Sequence, residues 1–565
     1  MEMEQTVHKL RKAAPYVFLG LCVLVLLFLN VFYLEHWLDS DMAAEMIFSK
    51  LLAEQGRWIA PTGWYYSTEF RILYTQLFMA PLFRVLTDWH TIRLLTNLLT
   101  YGLLLLSYFY LMKHTGVKKS TCVWAASFLL LPFSETMMLH MHMGNTYMFH
   151  VILIFFGLGL FLSVYADLLK KSYGPHFCVR FVLLTGLSLL LGMSGVRYFM
   201  SFFAPLLIAV FLLWYRGEHT KKLREITVTE NVWETLKASV QDHAIGMSFL
   251  LASFISCAAL VGYLINGKVI RKLYFFQTYD TTNFVDIYQG DFMNRIQDTL
   301  GSLVMLFGYI PGKSVLSLRG LVSICSMVVL ILVFRIYGKT CKAVKQDRLA
   351  VTRESEEKQM GDSILVTFSG SAFTVSALAL IFTTSTNVPR YFIPSMIFLV
   401  PVGALYFTKE KRWFDRRVTA LLLVLCFGLL TLKTDASMMT TDKNMARKES
   451  IAWLMEQGYT FGYATYWNAN ITQELSNGAL VVANILEPES MGFFEWSSEE
   501  AYYLDPGEAG SKVPAGKVFL LLTNKQVETY GQAPALTGGE MVYVDDEFVI
   551  FSYENAEDLL QYRIR

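Results

Sequence analysis

The sequence predicts an all-α polytopic membrane domain with about eleven spans, followed by a C-terminal α/β domain outside the membrane. Three observations predict it. Of the 565 residues, 54% are hydrophobic and only 17% are charged, against about a quarter charged in soluble proteins. Apolar runs long enough to cross about 30 Å of hydrocarbon recur through residues 1–433. The charge is also divided: residues 434–565 hold 8 Lys+Arg against 20 Asp+Glu, whereas residues 1–433 hold 40 against 27. This composition excludes a disordered chain, a disulfide scaffold and an ordinary cytosolic enzyme. The basic excess of the body reads as membrane topology, with no nucleic-acid partner expected.

His8-Lys9-Leu10-Arg11-Lys12 precedes an apolar run near 16–34. Glu35-His36-Trp37-Leu38-Asp39 follows it in place of the small residues of a cleavage site. The run therefore reads as an uncleaved first span with its N-terminus inside. Further spans are expected near 92–112, 120–138, 146–167, 179–194, 198–214, 244–265, 316–337, 363–383, 391–407 and 416–432. The stretch 298–312 is apolar but short and ends at Pro311-Gly312, so it is expected to be re-entrant or interfacial. The loops Lys113–Lys119, Lys170–Arg180, Tyr215–His243, Arg335–Lys358 and Lys409–Arg417 are rich in Lys and Arg, as cytoplasmic loops are. An odd number of spans then places the acidic tail extracytoplasmically. Two outside loops, 35–90 and 267–297, are longer than a minimal channel or carrier needs, and long loops are usually functional.

In the tail, 434–565, residues 445–457 have helical spacing and Phe461–Tyr466 read as a strand. Ala479–Leu486 and Val518–Thr523 are apolar runs behind the turn signals Asn477-Gly478 and Pro514-Ala515-Gly516. Met541–Tyr553 read as two strands turning at Asp545-Asp546. Strands alternating with helical pieces make a small α/β domain. None of the seven cysteines lies in the tail, and no pair has metal-ligand spacing. A domain built outside the cell without disulfides favours a bacterial origin.

Four constellations could carry chemistry. Asp39-Ser40-Asp41 with Glu45 stands just beyond the first span, and Asp41 and Glu45 share a helix face at i, i+4. Such carboxylates serve as a general base or hold a divalent cation; alternatively Asp41 caps the helix. Next, Trp64-Tyr65-Tyr66-Ser67-Thr68-Glu69-Phe70-Arg71 mixes aromatic faces with an acid and a base, which suits a glycan or an interfacial aromatic belt. The stretch Ile72–Leu86 after it reads as an amphipathic element on the membrane. Third, Glu135, His140 and His142 share an outside turn, and the two histidines would share a face of an extended loop. With Asp41 they are the candidate ligands of a divalent cation, Mg or Mn. Fourth, Arg197-Tyr198 and Arg390-Tyr391 stand where outside loops meet spans. An arginine there needs an anionic partner, for which a lipid-linked phosphate suits a planar guanidinium, or it snorkels to headgroups.

The uncleaved first span, the acidic motif in a long first outside loop, the Arg390-Tyr391-Phe392-Ile393-Pro394 element before a late span and the outside domain together resemble the GT-C glycosyltransferases. The likeness is to bacterial proteins related to protein mannosyltransferases and aminoarabinose transferases. The tail's Gly462-Tyr463-Ala464-Thr465-Tyr466-Trp467-Asn468-Ala469-Asn470 and Leu475-Ser476-Asn477-Gly478 are similar to uncharacterised bacterial members. The resemblance implies transfer of a sugar from a polyprenyl-phosphate donor to a glycan, lipid or protein acceptor at the outer face of the cell membrane. It implies that Asp41, or its neighbour Asp39, is the catalytic base or metal partner, and that Arg390 and Tyr391 lie near the donor phosphate. Many relatives carry an acidic pair in the second outside loop, where this chain has Glu135 with His140 and His142.

The sequence thus reads as an inverting membrane glycosyltransferase. Its candidate catalytic residues are Asp41, Asp39 and Glu69; Arg390, Tyr391 and Arg197 would bind donor phosphate, and Trp64, Tyr65, Tyr66 and Arg71 would bind substrate. A transporter or flippase of a lipid-linked glycan is the alternative. That alternative would need charged residues near mid-bilayer, and the spans are almost free of them.

Overall fold

The computed structural model describes residues 2–215, 243–277, 282–286, 292–348 and 356–564. Most of the expected basic loop Tyr215–His243, and parts of 267–297 and Arg335–Lys358, lie outside the described residues.

Among the described residues, eight helices are long and apolar enough to cross a membrane: His8–Trp37, Trp89–Met112, Met148–Leu169, Pro175–Met193, Gly246–Leu273, Leu318–Gln346, Glu357–Phe382 and Trp413–Glu456. A bent pair, Pro389–Met396 with Leu399–Lys409, turns by 41° and would add a ninth. Met148–Leu169 is apolar all round and buried along nearly its whole length, as the central helix of a bundle must be.

Two of the expected spans fall outside that set. Phe199–Tyr215 is a short apolar helix that opens with the π-helical turn Phe199–Phe203. The run near 120–138 does not hold as one helix, because Lys119–Leu129 stops after 11 residues. Pro132 has no N–H to donate and disfavours helical backbone at Leu131 before it. The chain resumes as Glu135–Met137 and a π-helical stretch, Met138–Met143. His140 and His142 therefore stand on a coiled turn, not an extended loop, and residues two apart on such a turn do not share a face.

Of the apolar stretch 298–312, residues 298–306 are helical, within Phe292–Leu306, which buries Thr299, Ser302, Leu303 and Leu306 on a single side. Of the stretch Ile72–Leu86, Gln76–Phe83 is helical.

The strands, in chain order, are β1 (Trp64–Tyr65), β2 (Phe461–Thr465), β3 (Val481–Ile485), β4 (Ser498–Glu499), β5 (Val518–Thr523), β6 (Glu540–Val544) and β7 (Phe548–Tyr553). Five of them form one sheet in the order β3-β2-β5-β7-β6, with β2 parallel to β3 and β5 and the other neighbours antiparallel. The helix Met445–Glu456 precedes the sheet, and the two strands ending in Tyr553 turn at Asp545-Asp546 as the sequence leads one to expect.

The crossover from β2 to β3 is the helix Tyr466–Leu475, which packs on the helix Ser40–Glu54 of the first outside loop. β1 in that loop pairs antiparallel with β4, Trp64 opposite Glu499. The fully buried Arg93 adds a bidentate ion pair to Glu474, with Nε–Oε1 2.6 Å and Nη2–Oε2 2.8 Å. The same guanidinium donates to the Met42 carbonyl at 3.0 Å. Loop helix, bundle and C-terminal sheet are thus joined at one buried charge pair.

Candidate active site

The helix Ser40–Glu54 begins with Asp39 as its N-cap, whose Oδ1 accepts from the Met42 N–H at 3.0 Å. Asp39, not Asp41, thus caps the helix. This frees Asp41, in the first turn, to face a cavity of about 710 Å³, and Glu45 one turn later faces it too. Asp41 Oδ1 accepts from the Tyr466 hydroxyl at 2.7 Å, and its Oδ2 lies 3.8 Å from Arg390 Nη1. The carboxylate is about a third exposed and is held by one neutral donor and one more distant cation. The Asp39 carboxyl is pushed up to about 6, chiefly by burial and then by the neighbouring Asp41 charge.

Three arginines converge on this cavity from elements far apart in sequence. Arg71 pairs with Glu45 Oε1 at 2.6 Å and leans on the Tyr74 ring, 4.6 Å from its centroid. Glu69 bridges Arg197 Nε at 2.8 Å and Arg71 Nε at 3.5 Å. Arg197 follows the end of the helix Pro175–Met193 and is turned inward at Gly195, whose φ of +121° favours glycine. Arg390 sits in the tight turn Pro389–Phe392, with its guanidinium 5.9 Å from the centroid of Tyr391, which also lines the cavity. Burial pushes the Glu45 carboxyl up to about 7 against the opposing pull of Arg71. Glu69 is committed to two guanidinium groups, so it is placed to orient them rather than to take a proton.

The expected site residues divide clearly. Asp41, Glu69, Arg71, Arg197, Arg390, Tyr391, Trp64, Tyr66 and His140 line the cavity. Trp64 and Tyr66 are nearly buried in an aromatic cluster with Phe48 and Phe276, so they wall the cavity more than they reach into it. Tyr65 packs against Phe275 and Tyr503 and is not part of the lining. Glu135 pairs with Lys433 at 2.8 Å and Lys443 at 3.7 Å, away from the cavity.

His142 is fully buried with neither ring nitrogen hydrogen-bonded, whereas His140 Nδ1 meets Thr146 Oγ1 at 2.8 Å. Burial pushes both imidazoles down to about 3, so both are neutral. Of the four candidate cation ligands, only Asp41 and His140 line the cavity. Among the described residues no three His, Cys, Asp or Glu side chains are grouped to hold a metal ion. That donor set does not fit a hard divalent cation, which takes six or more ligands, mostly oxygen.

Several lining residues were not singled out from the sequence. Tyr147 lies under Arg197, 5.4 Å from its guanidinium carbon. Tyr466, Trp467, Phe494 and Trp496 come from the C-terminal sheet domain. Tyr466 and Trp467 lie within the motif quoted above; nothing local distinguishes Phe494 and Trp496.

Comparison with protein-family models gives no match, and comparison with curated proteins gives none. Among solved structures, the chain is similar to the archaeal oligosaccharyltransferase AglB from Archaeoglobus fulgidus, in complex with an inhibitory peptide and a dolichol-phosphate. That likeness has 11% identity over 93% of this chain and 71% of that one, with a TM-score of 0.48. The chain is also similar to ArnT from Cupriavidus metallidurans. Bound to undecaprenyl phosphate, ArnT aligns at 10% identity over 97% of this chain and 99% of that one, TM-score 0.47. In the apo state it aligns at 10% identity over 97% and 98%, TM-score 0.49.

Proposed function

We propose that this chain is an integral membrane glycosyltransferase. It moves a sugar from a polyprenyl-phosphate donor to an acceptor hydroxyl at the outer face of the membrane, with inversion. The reading rests on the chemistry of the cavity. The observation that carries it is a solvent-reachable carboxylate, Asp41, sharing one chamber with three arginines.

In this reading Asp41 takes the proton of the acceptor hydroxyl as that oxygen bonds to the anomeric carbon. The bond from that carbon to the phosphate oxygen breaks, and its electron pair leaves on the phosphate. Arg390, with Arg197 or Arg71, offers the guanidinium donors that receive this charge.

An apolar cavity of about 440 Å³ supports a lipid-linked donor. It is lined by Ile393, Met396, Ile397, Val400, Phe427 and other apolar side chains, and Ile393 and Met396 stand on the short helix that follows the turn carrying Arg390. A polyprenyl tail held there would keep its phosphate beside Arg390 and convert a bimolecular encounter into a positioned one.

Arg390→Lys tests the donor assignment. A fixed guanidinium presents parallel donors to one phosphate, whereas Lys offers a point charge on a flexible stem. The expected result is weaker binding of undecaprenyl phosphate and slower turnover, measured on purified protein in nanodiscs, with unchanged melting temperature. Equal affinity and turnover would make Arg390 an interfacial anchor and move the phosphate role to Arg197.

Tyr466→Phe tests how the base is held. Loss of a hydrogen bond to a charged group is worth about 1.5–3 kcal/mol, so turnover should fall roughly tenfold or more while donor KM holds. An unchanged kcat would mean that Tyr466 only packs against the loop.

The outer-face assignment predicts that a reporter fused after Arg565 is active only outside the cytoplasm. Cytoplasmic activity would overturn both orientation and mechanism.

A further inference from the structure

The two walls of the cavity differ in chemistry. Its cations and carboxylates lie on the membrane-domain side, in Asp41, Glu45, Glu69, Arg71, Arg197 and Arg390. The residues contributed by the C-terminal domain carry no carboxylate, amine or guanidinium, and the large ones are aromatic: Tyr466, Trp467, Phe494 and Trp496. Their rings form a continuous surface. Tyr466 meets Trp467 at 5.3 Å and Phe494 at 5.6 Å, both edge to face, and Phe494 stacks on Trp496 at 6.1 Å with planes 22° apart. Trp467 is 59% exposed although it stands on the first turn of a packed helix. An exposed indole on a rigid element within a cavity is a binding feature rather than a core residue.

The loop that brings Phe494 and Trp496 to the cavity is strained and over-determined. Met491 and Ser497 have φ of +50° and +47°, left-handed values that cost a non-glycine residue about 1–3 kcal/mol each. Hydrogen bonds hold the loop in that form. Phe494 N–H donates to the Asn484 carbonyl at 2.9 Å, Asn484 Nδ2 to the Trp496 carbonyl at 3.1 Å, and Leu486 N–H to the Gly492 carbonyl at 2.8 Å. The buried Met491 side chain anchors its middle. Strain retained in this way clusters at ligand clamps.

We infer that this aromatic wall is the acceptor subsite and that the acceptor is a saccharide. The inference rests on the transferase reading above. A pyranose ring has an apolar C–H face that stacks on an indole, and hydroxyls at its edge. An uncharged aromatic wall suits such a ring, whereas an anionic headgroup or an acidic peptide would require cations, which among the described residues stand only on the membrane-domain wall. Trp467 directly follows Tyr466, whose hydroxyl touches Asp41. A ring stacked on Trp467 would lie in the same chamber as the proposed base, beside the Tyr466 ring that Trp467 meets.

The test uses the full chain in nanodiscs, with two probes read in parallel: an array of bacterial-envelope oligosaccharides, and undecaprenyl phosphate. The wild type is expected to be retained by at least one oligosaccharide. Trp467→Ala should lower that retention about tenfold or more, Trp467→Phe should preserve most of it, and neither should alter undecaprenyl phosphate binding. If undecaprenyl phosphate binds but no oligosaccharide is retained, or Trp467→Ala is retained as well as wild type, the saccharide-acceptor inference is overturned while the donor reading stands. If oligosaccharide is retained but undecaprenyl phosphate is not bound, the transferase reading fails and the wall is no acceptor subsite.

Discussion

Asp41→Asn is expected to lower sugar transfer by about 10²–10⁴-fold, the usual contribution of a positioned general base, with the melting temperature unchanged. The amide keeps the size of the carboxylate and can still accept from the Tyr466 hydroxyl, but it cannot take a proton at neutral pH. Folding should be spared because Asp39, not Asp41, caps the helix.

Asp39→Asn is the control. Asn caps a helix about as well as Asp, so the helix should form and turnover should fall far less than in Asp41→Asn. The same variant has a pH signature. The Asp39 carboxyl is pushed from an ordinary 3.8 up to about 6 by burial and by Asp41. Between these values the folded chain binds more protons than the unfolded one, so this group contributes stability at low pH that is lost as pH rises through about 6. Asp39→Asn should flatten that slope, as followed by thermal unfolding between about pH 4 and pH 7. Near-normal turnover in Asp41→Asn would instead move the base to Asp39 or Glu45.

Glu474→Gln is expected to destabilise the protein by roughly 3–5 kcal/mol, the usual consequence of removing one partner of a buried ion pair. Arg93 and Glu474 are both essentially inaccessible, and both carboxylate oxygens are engaged at 2.6 and 2.8 Å. The variant would leave a guanidinium buried without its counter-charge. Because the pair ties the helix Tyr466–Leu475 to the bundle, the loss should appear as a lower melting temperature together with faster proteolysis of the C-terminal domain. Replacing both partners, Arg93→Met with Glu474→Leu, should recover a large part of the stability, since well-packed apolar pairs often equal buried ion pairs. An unchanged melting temperature in Glu474→Gln would mean that the sheet domain is held by its other contacts.

Much of the fold was legible because membrane insertion reads a nearly local property. Sustained apolar length marks spans such as Met148–Leu169, and clustered Lys and Arg mark loop ends. In the tail, turn signals bounded the runs that became β3, β5 and the β6–β7 pair. Where the sequence misled, local backbone chemistry outweighed an apolar pattern: Pro132 stands where the run beginning at Lys119 breaks, and His140 and His142 lie on a π-helical turn beyond it.

The candidate site was legible in its parts. Asp41, Glu69, Arg71, Arg197 and Arg390 are of residue types that acid–base and phosphate chemistry require, and all line one cavity. Their partners were not legible. Asp41 receives its hydrogen bond from Tyr466, 425 positions away, and Arg93 meets Glu474 across 381 positions. Glu135 had the right chemistry for a cation ligand, but packing set it against Lys433 and Lys443.

By itself, then, the sequence determined a membrane bundle with an acidic α/β tail and the inventory of groups that could react. Hydropathy, charge bias and turn chemistry act over a few residues, so neighbours in the chain suffice to read them. Only the tertiary structure decided which carboxylate caps a helix and which faces a cavity, which arginines gather there, and that the tail supplies an aromatic wall. Those choices depend on how helices and sheet pack over hundreds of residues, and no local pattern encodes that approach.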